Sequence, residues 1–364
     1  MADASRPNAL TRFVPRKVRA LEAAVHEAWL RVMVVLLSVD EGGVIAPDSW
    51  HLHPSRVLFI RYDRVGDMVL CTGLLRALSA AYPRMTIDVL TTPTNAPVLE
   101  HLPFVGDVVV HERRRWRDYP ALFARLASRA PARIGSAGRP HDRVYNIPVP
   151  PPADIHREHH VDHLARLAEP FGIRGPDADW RPTLAATDFE REEANAHWDA
   201  APGDGPRVLV NISAGQTCRR WPDDHFAATL TALRARRPDA RVIIVALEED
   251  RASATGLADL IGGLAVIPRL RELFALVAES DLVVTPDTGV THIASAFARP
   301  TLALLRRRDE YEMWVPYRTP SVNVFGPTEH SLADLDAAAV IGALDEALAL
   351  VPSTSSRLSV GQPA

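Results

Sequence analysis

The chain has 364 residues, enough for about two domains, with 47% hydrophobic and 24% charged residues, the balance of an ordinary globular protein. That excludes collagen-like, largely disordered and polytopic membrane classes, and a net charge of -4 from 41 basic and 45 acidic residues leaves no basic field for nucleic acid. Lys17 is the sole lysine, so arginine where other chains carry lysine says little, and Cys71 and Cys218 support neither a disulfide framework nor a zinc ribbon.

Residues 1–15 are polar and read as disordered, and no signal-peptide pattern follows them, so a reducing, cytoplasmic setting is expected. Val18, Leu21, Val25, Trp29, Val32, Leu36 and Val39 then recur at helical spacing. The longest uncharged run in this helix, 32–39, falls far short of the ~20 residues a bilayer span needs. Two readings stay open. The helix packs on the first lobe, or residues 16–39 lie on a membrane surface, with Arg12, Arg16, Lys17, Arg19 and Trp29 at the interface.

From residue 56, short apolar runs at 57–60, 87–90, 108–110 and 144–147 surround a helix over 68–82. Pro148 and the prolines at 150–152 interrupt, a helix is expected over 155–171, and the Pro-, Asp-, Ala- and Gly-rich stretch 174–206 reads as holding a linker. Alternation resumes with strands at 208–212, 242–247, 264–267, 282–284 and 301–305 and helices at 223–236, 252–261, 270–278 and 290–297. A last helix covers 332–350. Strands alternating with helices imply parallel sheets covered on both faces. The expected fold is α/β with GT-B architecture: two Rossmann-like, doubly wound domains facing a central cleft. The expected divisions are an extension to 54, a first domain over 55–180, a linker over 181–205, a second domain over 206–330, the closing helix and a loose tail over 351–364.

Three loops at the carboxyl ends of strands hold candidate chemistry. Gly66-Asp67 follows the first strand, and Asp67 is either a helix cap or, at the cleft, a general base for a hydroxyl. Asn211-Ile-Ser-Ala-Gly215 leads to Gln216, Thr217, Arg219 and Arg220 before Trp221-Pro222; small residues, hydroxyls and arginines suit a diphosphate, although a plain turn with solvated arginines accounts for them equally. Asp287-Thr288-Gly289-Val-Thr-His292-Ile-Ala294 takes a strand into a helix, where Gly289 lets backbone approach a ligand and helix N–H groups attract anions. His292 is a site residue or a core histidine.

Together these loops resemble glycosyltransferase family 9, the heptosyltransferases: an early Gly-Asp, an Ala-Gly loop before Lys/Arg-x-Trp-Pro, and Asp-Thr-Gly-x-x-His-x-Ala, with a weaker Glu-x-x-Arg-Ala at Glu248 to Ala252. The match in order and spacing runs over residues 56–350. The resemblance implies an inverting enzyme that moves heptose from ADP-heptose to a sugar hydroxyl of lipopolysaccharide inner core. By the same resemblance Asp67 is the base, Ser213, Gln216, Thr217 and Arg219 hold the diphosphate, Glu248 lies near the nucleoside, and Asp287, Thr288, Gly289 and His292 complete the donor site. Arg219 stands where the lipopolysaccharide enzymes usually carry lysine.

Arg61 and the basic run Arg113, Arg114 and Arg115 are the candidate acceptor contacts, the run being otherwise a solvated loop. No metal cofactor is expected, since Arg219 and the helix start at Thr288 and Gly289 counter charge on the leaving diphosphate. His156, His159, His160 and His163 share a helical face with zinc-compatible spacing, but nothing near them suggests a catalytic water. The partners expected are a nucleotide-sugar donor and a glycan or lipid-linked acceptor. A dinucleotide oxidoreductase is disfavoured because no Gly-x-Gly-x-x-Gly follows a strand, and a noncatalytic nucleotide-sugar binder would have no need of a base at Asp67.

Overall fold

The computed structural model describes residues 44–46, 49, 52–112, 132–138, 145–152, 154, 157–307 and 312–351. The helix expected at 16–39, Arg113, Arg114, Arg115, His156 and the tail beyond 351 lie outside the described residues.

β1 (Arg56–Ile60), β2 (Thr86–Thr91) and β3 (Val108–Val110) form a parallel sheet in the order β1-β2-β3. Between the first two, α1 (Val65–Ala81) buries Met68, Val69, Leu70, Leu74 and Leu75, and α2 (Ala96–Leu99) follows β2. Gly73 is required on α1, because a Cβ there would stand 2.1 Å from the Trp180 carbonyl oxygen. The segment around Trp180 is laid along the helix: Thr183 N–H donates to Thr72 Oγ1 at 2.8 Å, and Arg76 donates to the carbonyls of Asp179 and Arg181.

A separate parallel pair joins β4 (Ile134–Ser136), which is too short to read from sequence, to β5 (Ile147–Val149), displaced from the expected run at 144–147. Pro148 is tolerated because both strands of a two-stranded sheet are edges. β4 and β5 belong to one compact unit, and the other elements named here belong to a second.

α3 (His160–Ala165) continues as a 3-10 helix over Arg166–Phe171. It starts later than expected because His159 stays extended and caps it, Nδ1 accepting Val161 N–H at 3.1 Å. The stretch expected as a linker contains α4 (Asp188–Ala200), opened by a Thr187–Glu190 capping box and anchored by fully buried Ala194 and Trp198.

β6 (Arg207–Asn211), β7 (Arg241–Val245), β8 (Leu264–Val266), β9 (Leu282–Pro286), β10 (Thr301–Leu305) and β11 (Ser321–Phe325) form one parallel sheet ordered β8-β7-β6-β9-β10-β11. α5 (Asp223–Arg236), α6 (Arg251–Ile261), α7 (Leu270–Ala278), α8 (Gly289–Ala296) and α9 (Ala337–Ala349) connect or follow these strands. β11, absent from the sequence reading, pairs with β10. α9 begins at 337 and not 332 because Asp336 caps it, accepting Ala338 N–H at 3.0 Å. Among the described residues no helix is long and apolar enough to cross a membrane.

The strand order reverses between β6 and β9, and open parallel sheets bind ligands outside the carboxyl ends at such a switch point. β1 ends in a loop that reaches the same place. Arg271 of α7 ties α4 to α2: it donates to Glu190 of α4 at 2.7 and 2.6 Å and to the Pro97 carbonyl of α2 at 3.3 Å. Burial works against the Glu190 charge, but the bonds from Arg271 and from Thr187 N–H outweigh it and hold the carboxyl at about 2. A depressed folded-state pKa gives stability that is complete above the ordinary value of 4.5 and drains away as pH falls toward 2. Melting temperature is therefore expected to fall across that window, and to fall less steeply in Glu190→Gln; parallel curves for the two proteins would remove Glu190 from the acid response.

Candidate functional site

Gly66 and Asp67 open α1, and Gly289 and His292 lie in the first turn of α8. The two helix starts pack on each other: a Cβ on Gly66 would fall 2.8 Å from His292 Cδ2 and 3.2 Å from Gly289 Cα, so the approach requires glycine. Asp67 is thereby placed beside the switch point of the larger sheet. Its Oδ2 accepts Arg64 N–H at 3.3 Å, the capping contact, while Oδ1 lies 3.7 Å from the Arg61 guanidinium. The cap uses one oxygen. Burial raises the Asp67 pKa above the usual aspartate value, with Arg61 pulling the other way.

His292 is 5% exposed, and its Nδ1 is buried with no hydrogen-bond partner. Burial, reinforced by His159, His160 and Arg219, pushes its pKa down to about 3, so it stays a neutral imidazole. At the switch point Asn211 Nδ2 reaches Thr285 Oγ1 at 3.0 Å and Thr288 Oγ1 at 3.2 Å, locking the end of β6 to the loop after β9. Thr288 in turn caps α8 by accepting Val290 N–H. Arg219 Nη1 donates to the Asp287 carbonyl at 3.2 Å and lies 3.3 Å from its carboxylate, while its Nε is buried and unpartnered. Asp287 is 2% exposed; burial raises its pKa and Arg219 opposes the rise.

A helix start, an arginine held by a buried carboxylate, a neutral imidazole and a partly buried carboxylate suit an anionic leaving group on one side and a hydroxyl nucleophile on the other. The family model for glycosyltransferase family 9 (heptosyltransferase) matches residues 121–342. The chain belongs to this family.

It is similar to lipopolysaccharide heptosyltransferase 3 of Escherichia coli K12, with 23% identity over 73% of this chain and 88% of the relative. Among solved structures it resembles a family 9 glycosyltransferase from Veillonella parvula, with a TM-score of 0.69, 16% identity and coverage of 82% of this chain and 99% of the other. It also resembles the E. coli ADP-heptose lipopolysaccharide heptosyltransferase II, with a TM-score of 0.64, 20% identity and coverage of 81% and 98%. The chain is thus a glycosyltransferase of the heptosyltransferase family, with a GT-B fold.

Several expected site residues of this family 9 enzyme hold the loops rather than face outward. Ser213 donates its hydroxyl proton to Asp250 at 2.6 Å and accepts Leu247 N–H at 2.8 Å, so it binds the loop after β6 to the loop after β7. Arg220 is committed to Asp250 and Glu249, both at 2.8 Å. Gln216, extended just before the short 3-10 turn Thr217–Arg219, and Thr217, its first residue, are both exposed. Glu248 is exposed at the start of the 3-10 turn Glu248–Asp250 that follows β7 and pairs with Arg251 at 2.7 Å, which lowers its pKa. Arg61 turns onto Asp63, 2.9 Å away, and Asp67. Arg113, Arg114 and Arg115 lie outside the described residues.

Sequence reading missed Asn211 and Asp250. The signal for Asp250 was present as the acidic run Glu248-Glu249-Asp250 in one loop and the pair Arg219-Arg220 in another, which are complementary only once β6 and β7 are known to be neighbours. The Trp-Pro motif is structural. Trp221 is buried, donates to the Leu335 carbonyl at 2.8 Å and packs edge-on against Phe226. His159 spends both ring nitrogens on backbone groups, Val161 N–H and the Val315 carbonyl. Among the described residues no three His, Cys, Asp or Glu are grouped to hold a metal.

Proposed function

We propose that this enzyme transfers a heptose, with inversion, from ADP-heptose to a sugar hydroxyl of a lipopolysaccharide core, acting at the cytoplasmic side of a membrane. The observation that carries the reading is the packing of Gly66-Asp67 against Gly289 and His292, with Arg219 and Asp287 alongside. Names of relatives supply the donor and acceptor: one similar structure is an ADP-heptose lipopolysaccharide heptosyltransferase. In this reading Asp67 removes the proton from the acceptor hydroxyl. The freed oxygen attacks the anomeric carbon opposite the leaving group, and the bond from that carbon to the diphosphate oxygen breaks. Arg219 and the N-terminus of α8 counter the charge that gathers on the departing ADP, a task that needs no metal here. The buried Arg219 Nε and His292 Nδ1 are polar atoms awaiting a partner at this place.

Donor preference gives the test. ADP-heptose at a fixed concentration is expected to raise the melting temperature more than UDP- or GDP-sugars, because a ligand that binds only the folded state stabilises it by an amount that grows with its affinity. The shift should shrink in Arg219→Ala and return in large part in Arg219→Lys, which restores the charge beside Asp287. A greater shift with UDP-sugars would move the enzyme away from heptose donors while leaving the family intact.

A further inference from the structure

Arg61 follows the last residue of β1, and its side chain is largely buried. From there it meets three groups. Nε lies 2.9 Å from the Asp63 carboxylate, Nη2 lies 3.7 Å from Asp67 Oδ1, and the same Nη2 is 3.5 Å from Nε2 of His160 on α3. Trp314 stacks on His160 at 4.7 Å and lies 6.2 Å from His292, so the wall around Arg61 closes back on the helix start that touches Gly66. The guanidinium is held by charge more than by hydrogen bonds: Nε is buried beside Asp63 with no aligned hydrogen bond to it, and Nη2 sits between the Asp67 carboxylate and the His160 ring.

We propose that Arg61 is a positioning residue for Asp67: it aims one carboxylate oxygen and keeps a fixed cation beside it, in place of the acceptor contact expected from sequence. This rests on the reading of Asp67 as the base. The distances favour it. At 3.7 Å the pair attracts without a direct hydrogen bond, so the Oδ1 lone pair stays available to a substrate hydroxyl, while Arg64 N–H holds Oδ2 at 3.3 Å. Two carboxylate oxygens are thus given two duties.

The cation also sets when Asp67 ionises. Burial favours the protonated acid, and Asp63 adds like charge; Arg61 and Arg64 oppose them. Among the described residues the other titratable groups at this place include Cys71 one turn along α1, whose thiol burial pushes up to about 11, the buried Asp287 after β9, His292, which is neutral, and His160, 3.5 Å from Arg61. Among the described residues Arg61 is the side-chain cation that pairs with this carboxylate, which burial tends to neutralise. A base works when deprotonated, so removal of Arg61 should delay activity to higher pH.

The experiment follows kcat/KM against pH for wild type, Arg61→Met, Arg61→Lys and Asp63→Asn, with ADP-heptose and lipopolysaccharide lacking its outer core. Arg61→Met is expected to lose on the order of tenfold at the acid end and to approach wild type at the alkaline end, its acceptor KM staying within about twofold. Arg61→Lys should recover part of the acid limb. Asp63→Asn, at an exposed carboxylate, should move that limb the opposite way, and it carries the test should Arg61→Met fail to fold. An acid limb unmoved in the folded variants, or a loss expressed mainly as a higher acceptor KM, overturns the proposal in favour of an acceptor contact. Asp67→Asn, run alongside, separates the two levels. If it is inactive while Arg61→Met matches wild type, only the role of Arg61 falls; if it turns over normally, the base assignment falls and takes the proposal with it.

Discussion

Asp67→Asn is expected to bind the nucleotide-sugar donor as wild type does and to transfer sugar roughly 10² to 10⁴ times more slowly, the range lost when a general base is removed. Asparagine keeps the shape of aspartate and can still accept Arg64 N–H, the contact made by Oδ2, so the start of α1 is retained. It has no basic oxygen for a hydroxyl proton. The substitution also removes a negative charge that raises the pKa of Asp287, which leaves the Arg219–Asp287 pair slightly better compensated. Donor affinity, measured by calorimetry, should therefore hold or improve while turnover collapses. Wild-type turnover would reduce Asp67 to the cap that its first-turn position also makes it.

The largest loss of stability is expected from Trp198→Ala. Trp198 is 0% exposed on α4, and the Arg207 guanidinium lies 5.8 Å over its ring. Removing a buried tryptophan leaves a cavity that a helix pinned on several sides cannot close, and such changes cost about 3–5 kcal/mol. α4 is pinned: Arg207 donates to Asn195 at 2.6 Å, Arg191 pairs with Glu279, and Glu190 is held by Arg271. A fall of several degrees in melting temperature, with a lower urea midpoint, is the outcome to look for. A shift within experimental scatter would mean that 188–200 behaves as the linker its composition suggests.

That segment shows why part of the fold was illegible. Residues 188–200 are mostly charged or small, and their two large apolar residues, Phe189 and Trp198, are too few to reveal a helix by periodicity; only Trp198 and Ala194 turn out to be buried. The Thr187–Glu190 capping box was a local sign that composition obscured. α5 and α7, by contrast, match their expected bounds, since each has a full apolar stripe and a clear stop. β4 and β11 escaped because three to five residues of a partly exposed strand carry almost no pattern of their own; their pairing with β5 and β10 makes them strands.

The sequence by itself determined the alternation of strands and helices, hence parallel sheets, and it supplied three loops whose spacing names glycosyltransferase family 9. Those are properties of residues near one another along the chain. Only the tertiary structure decided which groups each side chain in the loops meets. Asp67 and His292 are separated by more than two hundred residues, and the glycines that let their helices touch read as ordinary turn residues until the Gly66–Gly289 approach is seen. Ser213 and Arg220 look like phosphate ligands, yet Asp250 claims both, because β6 and β7 are sheet neighbours. Arg61 looks like an acceptor contact, and folding sets it against Asp63, Asp67 and His160. A polar side chain in a cleft bonds whichever group folding brings within about 3 Å, and that choice is made by sheet order and helix packing, which no local run of sequence records.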